Sequence, residues 1–378
     1  MKYTVLILGA SYGSLLGTKL SMAGHRVNLV CTQATAELIN REGARVRFPI
    51  QGRAAPLEIA SNTLPGKLCA SVPDTADPDA CDLVVLGMQE SQYGANGVRH
   101  LMRRIARSRK PCLAIMNMPP LPYLKRIPGL TTERLGACYT DPRVWEGFDP
   151  ALTTLASPDP QAFRPADQPK NVLEVGLATN FKAARFDAAE PTALLRQIEA
   201  DIENAQFDPG GGTVAIPVKL KVHDSIFVPL AKWPMLITGN YRCIRACDMI
   251  AIREAVHANL DQSRAIYDWV SKLCMRLGAQ AADLVPFDKY AKAAEELRKP
   301  SAAARALFGG AQHIERVDRL IWRIARQLGL QPPLRDMVSL IDERLVRNRI
   351  AQGTHAFGVP AMPLALEAQE PLHHWAAS

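Results

Sequence analysis

Thr4-Val5-Leu6-Ile7-Leu8-Gly9-Ala10-Ser11-Tyr12-Gly13-Ser14 runs an apolar strand straight into a glycine-bearing turn and then into an amphipathic helix that ends near Gly24. Such a turn lets backbone approach a pyrophosphate closely and aims unpaired N–H groups, with the positive end of the helix dipole, at the anion. The next strand, His25-Arg26-Val27-Asn28-Leu29-Val30-Cys31, closes the strand-helix-strand unit within the ~30 residues it requires. Gly9, Gly13 and Gly17 stand at four-residue spacing, not in the G-x-G-x-x-G pattern, and Ser11 occupies the place nearest the second glycine. Gly9, Ala10, Ser11, Tyr12, Gly13 and Ser14 are the candidate phosphate-binding residues, with Gly9 and Gly13 allowing the closest approach. The competing reading of these glycines is close contact between helix and sheet.

Working outward, Ala34 to Arg41 is predicted helical, and Ala44–Phe48 and Leu57–Ala60 are predicted as short alternating strands. Asp82-Leu83-Val84-Val85-Leu86-Gly87 is a continuous apolar run and so a buried strand, followed by a helix over Gln92 to Arg109 and a strand over Pro111 to Met116. This alternation predicts a parallel α/β sheet. From Pro119 to Lys170 the chain turns proline-rich, including Ser157-Pro158-Asp159-Pro160, and is expected to be an insertion. Strands resume at Asn171–Ala178 and Val214–Val222, with a helix over Pro191–Asn204 between them, and from His223 helical periodicity dominates to about Asn348. The predicted organisation is a Rossmann-like dinucleotide-binding domain over 1–222 with an insertion at about 119–170, an all-helical domain over 223–350, and an irregular tail over 351–378.

With 48% apolar and 22% charged residues in 378, the composition is that of an ordinary globular protein. No apolar run reaches the ~20 residues of a membrane span, and the N-terminal strand lacks the features of a cleavable signal, so a cytoplasmic protein without membrane partners is expected. The eight cysteines contain no C-x-x-C pair and are expected to be reduced and mostly buried. The net charge of +8 peaks at Arg99 to Lys110, where Leu101, Ile105 and Ala106 mark an inward face. That stretch reads as a solvated helix face and not as a nucleic-acid site, although the excess charge favours anionic cofactors and substrates. No metal site is expected: His373-His374 lies in the tail, and no other His/Cys group has ligand spacing.

Several patches together resemble the ketopantoate reductase (2-dehydropantoate 2-reductase) family. The opening Ile7-Leu8-Gly9-Ala10…Gly13-Ser14-Leu15…Ala23-Gly24-His25 is similar to the family's first strand, turn and helix, with a turn one residue shorter. Gln89-Glu90-Ser91-Gln92 resembles a segment ending in glutamine, with Gln89 in place of the usual lysine, and Met116-Asn117-Met118 resembles a Gln-Asn-Gly that keeps only its asparagine. Lys232 and Asn240 match the first and last members of a Lys-x-x-x-Asn-x-x-x-Asn pattern whose middle place holds Leu236. Eight residues is a little over two helical turns, so both side chains can face one cleft. Pro234 within that helix is expected to kink it at a cost of roughly 3 kcal/mol. Lys299-Pro300-Ser301 resembles the family's substrate-binding serine segment, and the stretch from Ile314 to Leu330 resembles the helix bearing its glutamate. Counting back from Gly329 puts His313 at that glutamate's place, with Glu315 and Asp318 within about a turn; which one faces the cleft is open from sequence.

The resemblance implies hydride transfer from a reduced nicotinamide to the ketone of a small 2-oxo acid, in the setting of pantothenate biosynthesis. Lys232 is then the proton donor, an ammonium that stabilises the developing oxyanion and releases its proton. Asn240, Ser301, Asn117 and Glu315 are the expected substrate-binding residues. Gly9 to Ser14, Thr32, Gln92 and Asn117 are the expected cofactor-binding residues. Cys31-Thr32-Gln33-Ala34-Thr35 offers no carboxylate for the ribose hydroxyls of NAD, and Thr32 can donate to a 2′-phosphate, so NADP (as NADPH) is expected in preference to NAD. The family's usual arginine is missing there. The alternatives are an opine-type dehydrogenase reducing an imine of an amino acid and a 2-oxo acid, or an NADP-binding protein that has lost catalysis. The resemblance leaves a homodimer open as the assembly.

Overall fold

The structure, a computed structural model, describes residues 2–353; the tail from 354 on, with His373 and His374, lies outside the described residues. Among the described residues twelve strands form: β1 (Thr4–Leu8), β2 (Arg26–Val30), β3 (Arg45–Phe48), β4 (Leu57–Ala60), β5 (Lys67–Ser71), β6 (Leu83–Leu86), β7 (Cys112–Ile115), β8 (Thr153–Ser157), β9 (Gln161–Phe163), β10 (Val172–Leu177), β11 (Phe181–Ala184) and β12 (Leu220–His223). The main sheet has the order β12-β11-β8-β7-β6-β1-β2-β5. From β5 to β8 every pairing is parallel, which is the doubly wound order 3-2-1-4-5-6 of a dinucleotide-binding sheet. β11 pairs antiparallel with β8 and parallel with β12, extending one edge.

The region 119–170 is not simply a looped insertion. It contains β8, buried at all five positions, which supplies the last of the parallel strands. β9 then leaves the main sheet and pairs with β10, which joins β3 and β4 in a second, four-stranded sheet. The buried Arg126 holds this arrangement, donating to the carbonyls of Thr153 and Arg185 and pairing with Asp187.

Between strands lie α1 (Tyr12–Met22), α2 (Gln33–Glu42), α3 (Asn96–Ser108), the single turn α4 (Leu121–Leu124) and α5 (Ala189–Asn204). On α3, Leu101, Met102 and Ile105 are buried while Arg103 and Arg107 are exposed, the amphipathic division its sequence predicts. The second half is helical: α6 (Lys232–Met235), a π-helical turn (Leu236–Tyr241), α7 (Ile252–His257), α8 (Leu260–Arg276), α9 (Phe287–Ala294), α10 (Ala302–Phe308), α11 (Val317–Gln327) and α12 (Arg335–Ala351). It buries its apolar faces in one continuous core with Leu6, Leu8, Val84 and Leu86 on one face of the main sheet. α1, α5 and the second sheet share a separate core with Val5, Ile7 and Val85 on the other.

Pro234 is better accommodated than its sequence context suggests. It falls in the first turn of α6, where an N–H has no intrahelical acceptor to lose. The wider π-helical turn follows directly and changes the phase between Lys232 and Asn240. Among the described residues no helix is long and apolar enough to cross a membrane. All eight cysteines are free, with Cys247 exposed and Cys31 and Cys69 half-buried.

Candidate functional site

Strand order reverses between β1 and β6, and open α/β sheets bind ligands at the carboxyl ends of the strands beside such a reversal. A cleft of about 1140 Å³ opens there, bordered by Gly9 to Tyr12, Cys31 to Thr32, Gly87 to Gln89, Met116 to Asn117 and Glu315. Its size suits a dinucleotide better than a single small metabolite. At Gly9, with φ +97°, an added Cβ would lie 2.7 Å from Met88 Cγ and 2.9 Å from the Gly87 carbonyl oxygen. Backbone thus packs on backbone at this point, and no side chain caps the N-terminus of α1; the Ser14 N–H is taken by the Ser11 carbonyl at 3.0 Å, which leaves the N–H groups before it to face an anion.

The remaining residues of the turn do something else. A Cβ on Gly13 would meet Ile7 Cγ2 at 3.0 Å, and one on Gly17 would meet Leu68 and Val27, so both glycines let α1 lie close on the sheet. The Ser14 hydroxyl is buried and donates back to the Ala10 carbonyl at 2.6 Å. Of the expected cofactor residues, Gly9, Ala10, Ser11, Tyr12, Thr32, Gln92 and Asn117 line the cleft, whereas Gly13 and Ser14 do not.

Glu315, not His313, faces the cleft. Its carboxylate accepts from Asn117 Nδ2 at 3.1 Å and from the Glu90 N–H at 3.2 Å, and also from the N–H groups of Met118 and Asn117. Burial pushes the carboxyl above its ordinary range, and these donors oppose the rise. The Tyr241 hydroxyl, at the end of the π-helical turn, donates to the Glu315 carbonyl and accepts from the Val317 N–H, fixing the segment before α11. A residue of the helical half is thereby latched to the carboxyl ends of β6 and β7. Asn117 Oδ1 remains buried without a partner, an open acceptor at the cleft wall. His313 is held below its ordinary range by burial and by Arg349.

Glu90 is a second buried carboxyl here, accepting from the Thr140 N–H at 2.9 Å and its hydroxyl at 3.0 Å. Burial pushes it up to about 7, opposed by those bonds and helped by Glu315 and Asp141. Because the folded value lies above the unfolded one, its contribution to stability is complete below the ordinary value of 4.5 and is lost as pH rises through about 7. The loss amounts to at most ~3 kcal/mol. Glu90→Gln is expected to flatten the fall of the urea midpoint between pH 5 and 8; an unchanged difference between those two pH values would contradict the assignment.

Lys232 lies behind the Pro158–Pro160 segment, with its Nζ 3.2 Å from Asp159 Oδ1, while Lys182 Nζ is 3.3 Å from Asp159 Oδ2. Burial raises the Asp159 carboxyl, but Lys232 and Lys182 outweigh it and hold the group below its usual range. Tyr12 donates to the Pro160 carbonyl at 3.0 Å and packs edge-on against Phe181. Burial, then Glu315, then Asp159 push its phenol up to about 12.

Asn240 and Ser301 do not line the cleft. Ser301, expected to touch substrate, is 2% exposed; it caps α10 by accepting from the Ala304 N–H and donates to the Asn240 carbonyl at 2.7 Å. Asp159, Glu90 and Tyr241 were not singled out from sequence. Asp159 stood in a proline-rich stretch, a signal that reports only a loop. Among the described residues no three His, Cys, Asp or Glu are grouped to hold a metal ion.

The order of the sheet, the switch-point cleft and the helical half define a two-part α/β protein with a doubly wound sheet and a helical second half. The same fold is found in ketopantoate reductases. A ketopantoate-reductase-type protein of Ralstonia solanacearum is 14% identical with a TM-score of 0.61, the match covering 93% of this chain and 99% of that one. The 2-dehydropantoate 2-reductase of Methylococcus capsulatus is 13% identical with a TM-score of 0.57, covering 98% of each chain. A dimeric ketopantoate reductase of Staphylococcus aureus is 10% identical with a TM-score of 0.54, covering 93% and 99%. No protein-family model and no curated protein sequence matches the chain.

Proposed function

We propose that the protein is an NADPH-dependent reductase of a small 2-oxo acid. The observation that carries this reading is a switch-point cleft lined by Tyr12, Asn117 and Glu315, in which Asn117 is bonded to Glu315 and Tyr12 to the Pro160 carbonyl, next to the Asp159 that pairs with Lys232. The cleft fits a dinucleotide by the Gly9 cradle and the uncapped start of α1. A bound reduced nicotinamide would supply the hydride. Lys232 donates a proton to the alkoxide formed at the substrate carbonyl, and Asp159, 3.2 Å away, holds that side chain in place. Asn117, oriented by Glu315, offers its open Oδ1 to a ligand donor.

The carboxylates of Asp159 and Glu315, both close enough to act on Tyr12, also suit a cationic iminium, which favours imine reduction as the second reading. Steady-state absorbance at the NADPH band with a panel of 2-oxo acids separates the readings. Oxidation by a 2-oxo acid alone is the expected result. Oxidation that requires an added amino acid selects the imine reaction, and tight NADPH binding with no turnover selects a binding protein without catalysis.

A further inference from the structure

We propose that Arg164, on the turn between β9 and β10, is the residue that selects a dinucleotide carrying a phosphate on its adenosine ribose. The inference rests on the reading of the cleft as a dinucleotide site and assigns one of its residues. At the end of β2, where ribose specificity is set, the chain reads Cys31-Thr32-Gln33, with neither a carboxylate nor a cation. The fold supplies the cation from elsewhere. β9 pairs with β10 on the second sheet, and the chain leaving Phe163 brings Arg164 onto the cleft wall beside Cys31. The two side chains are electrostatic neighbours: burial raises the Cys31 thiol to about 11, and Arg164 opposes that rise.

Three further observations fit an anion at this place. Among the described residues no carboxylate pairs with Arg164, whereas Arg47, on β3 of the same sheet, holds Glu58 and Gln168. Thr32 and Thr35 both line the cleft, and their hydroxyls share one hydrogen bond of 3.0 Å. That bond consumes one of their two protons and leaves the other to donate to a ligand. Lys170 borders the same wall and adds a second cation. A guanidinium presents a planar pair of donors that matches a phosphate monoester, and the bare ribose hydroxyl of NADH offers no charge to reward it. Lys299 of the helical half approaches the ring of the exposed Phe163, with Nζ 5.6 Å from its centre, which brings the turn bearing Arg164 against that half.

The test is direct titration of the wild-type protein, Arg164→Ala and Arg164→Lys with NADPH, NADH and 2′,5′-ADP, followed by calorimetry. Arg164→Ala is expected to weaken NADPH and 2′,5′-ADP by about 10- to 100-fold and to leave NADH within about twofold, with Arg164→Lys intermediate. Arg164 is exposed and has no hydrogen bond among the described residues, so matched circular dichroism and urea midpoints are expected for all three proteins. Equal losses for NADPH and NADH, or no loss for either, would overturn the role of Arg164 while leaving the dinucleotide site standing. A wild-type protein that binds neither dinucleotide would overturn both.

Discussion

Lys232→Ala is expected to lower kcat for 2-oxo acid reduction by about 10²- to 10⁴-fold, the usual worth of a positioned acid, with the dissociation constant for NADPH unchanged. The separation follows from where the side chain lies. Lys232 is not on the wall of the switch-point cleft; it approaches from α6 and meets Asp159 next to Pro158. With 21% of the side chain exposed against 16% for Asp159, the pair is shielded enough for its geometry to matter. Lys182 remains on Asp159 after the substitution, so the carboxylate is not left alone and the fold is expected to hold. Single-turnover and steady-state kinetics beside a fluorescence titration provide the measurement. A kcat within about threefold of wild type would remove Lys232 from the reaction.

Gly9→Ala is expected to cost both stability and cofactor. The new methyl would enter a space where Met88 Cγ is 2.7 Å and the Gly87 oxygen 2.9 Å away, at a φ of +97° that alanine tolerates poorly. The backbone strain alone is of order 1–3 kcal/mol, and relief requires β1 and β6 to part at the point where the phosphates would sit. NADPH affinity is therefore expected to fall by more than about tenfold, as 1.4 kcal/mol corresponds to one factor of ten. Gly13→Ala provides the contrast. Its methyl would press on Ile7 and Leu29 beneath α1, so the urea midpoint is expected to fall while the affinity of the folded protein changes little. Equal affinity losses in the two variants would return Gly13 to the phosphate site and refute the division of labour between these glycines.

The legible part of the site is the part made by neighbours in sequence. Gly9 to Tyr12 and Asn117 directly follow apolar strands, and a parallel sheet places all such ends along one edge, so identifying the strands was enough to locate them. Glu315 could not be separated from His313 by counting, because helical phase before α11 is set by Tyr241 and by N–H groups at Glu90, Asn117 and Met118. Ser301 carried a motif resemblance, yet its burial and its bond to Asn240 commit the hydroxyl to a cap. The helical spacing of Lys232 and Asn240 assumed a regular helix, and the π-helical turn from Leu236 breaks that regularity.

By itself, then, the sequence determined the local backbone and the fold class, because alternating apolar runs and glycine turns act over a few residues and report directly on strands, helices and their ends. Thr153–Ser157 escaped that reading because its threonines and flanking prolines resemble a loop until β7 and β11 close over it on either side. Tertiary structure alone decided which charges meet. Asn117 and Glu315 are 198 residues apart, and Lys232 and Asp159 are 73 apart; such pairings depend on how the helical half packs on the sheet edge and on where the chain between β8 and β10 crosses the cleft.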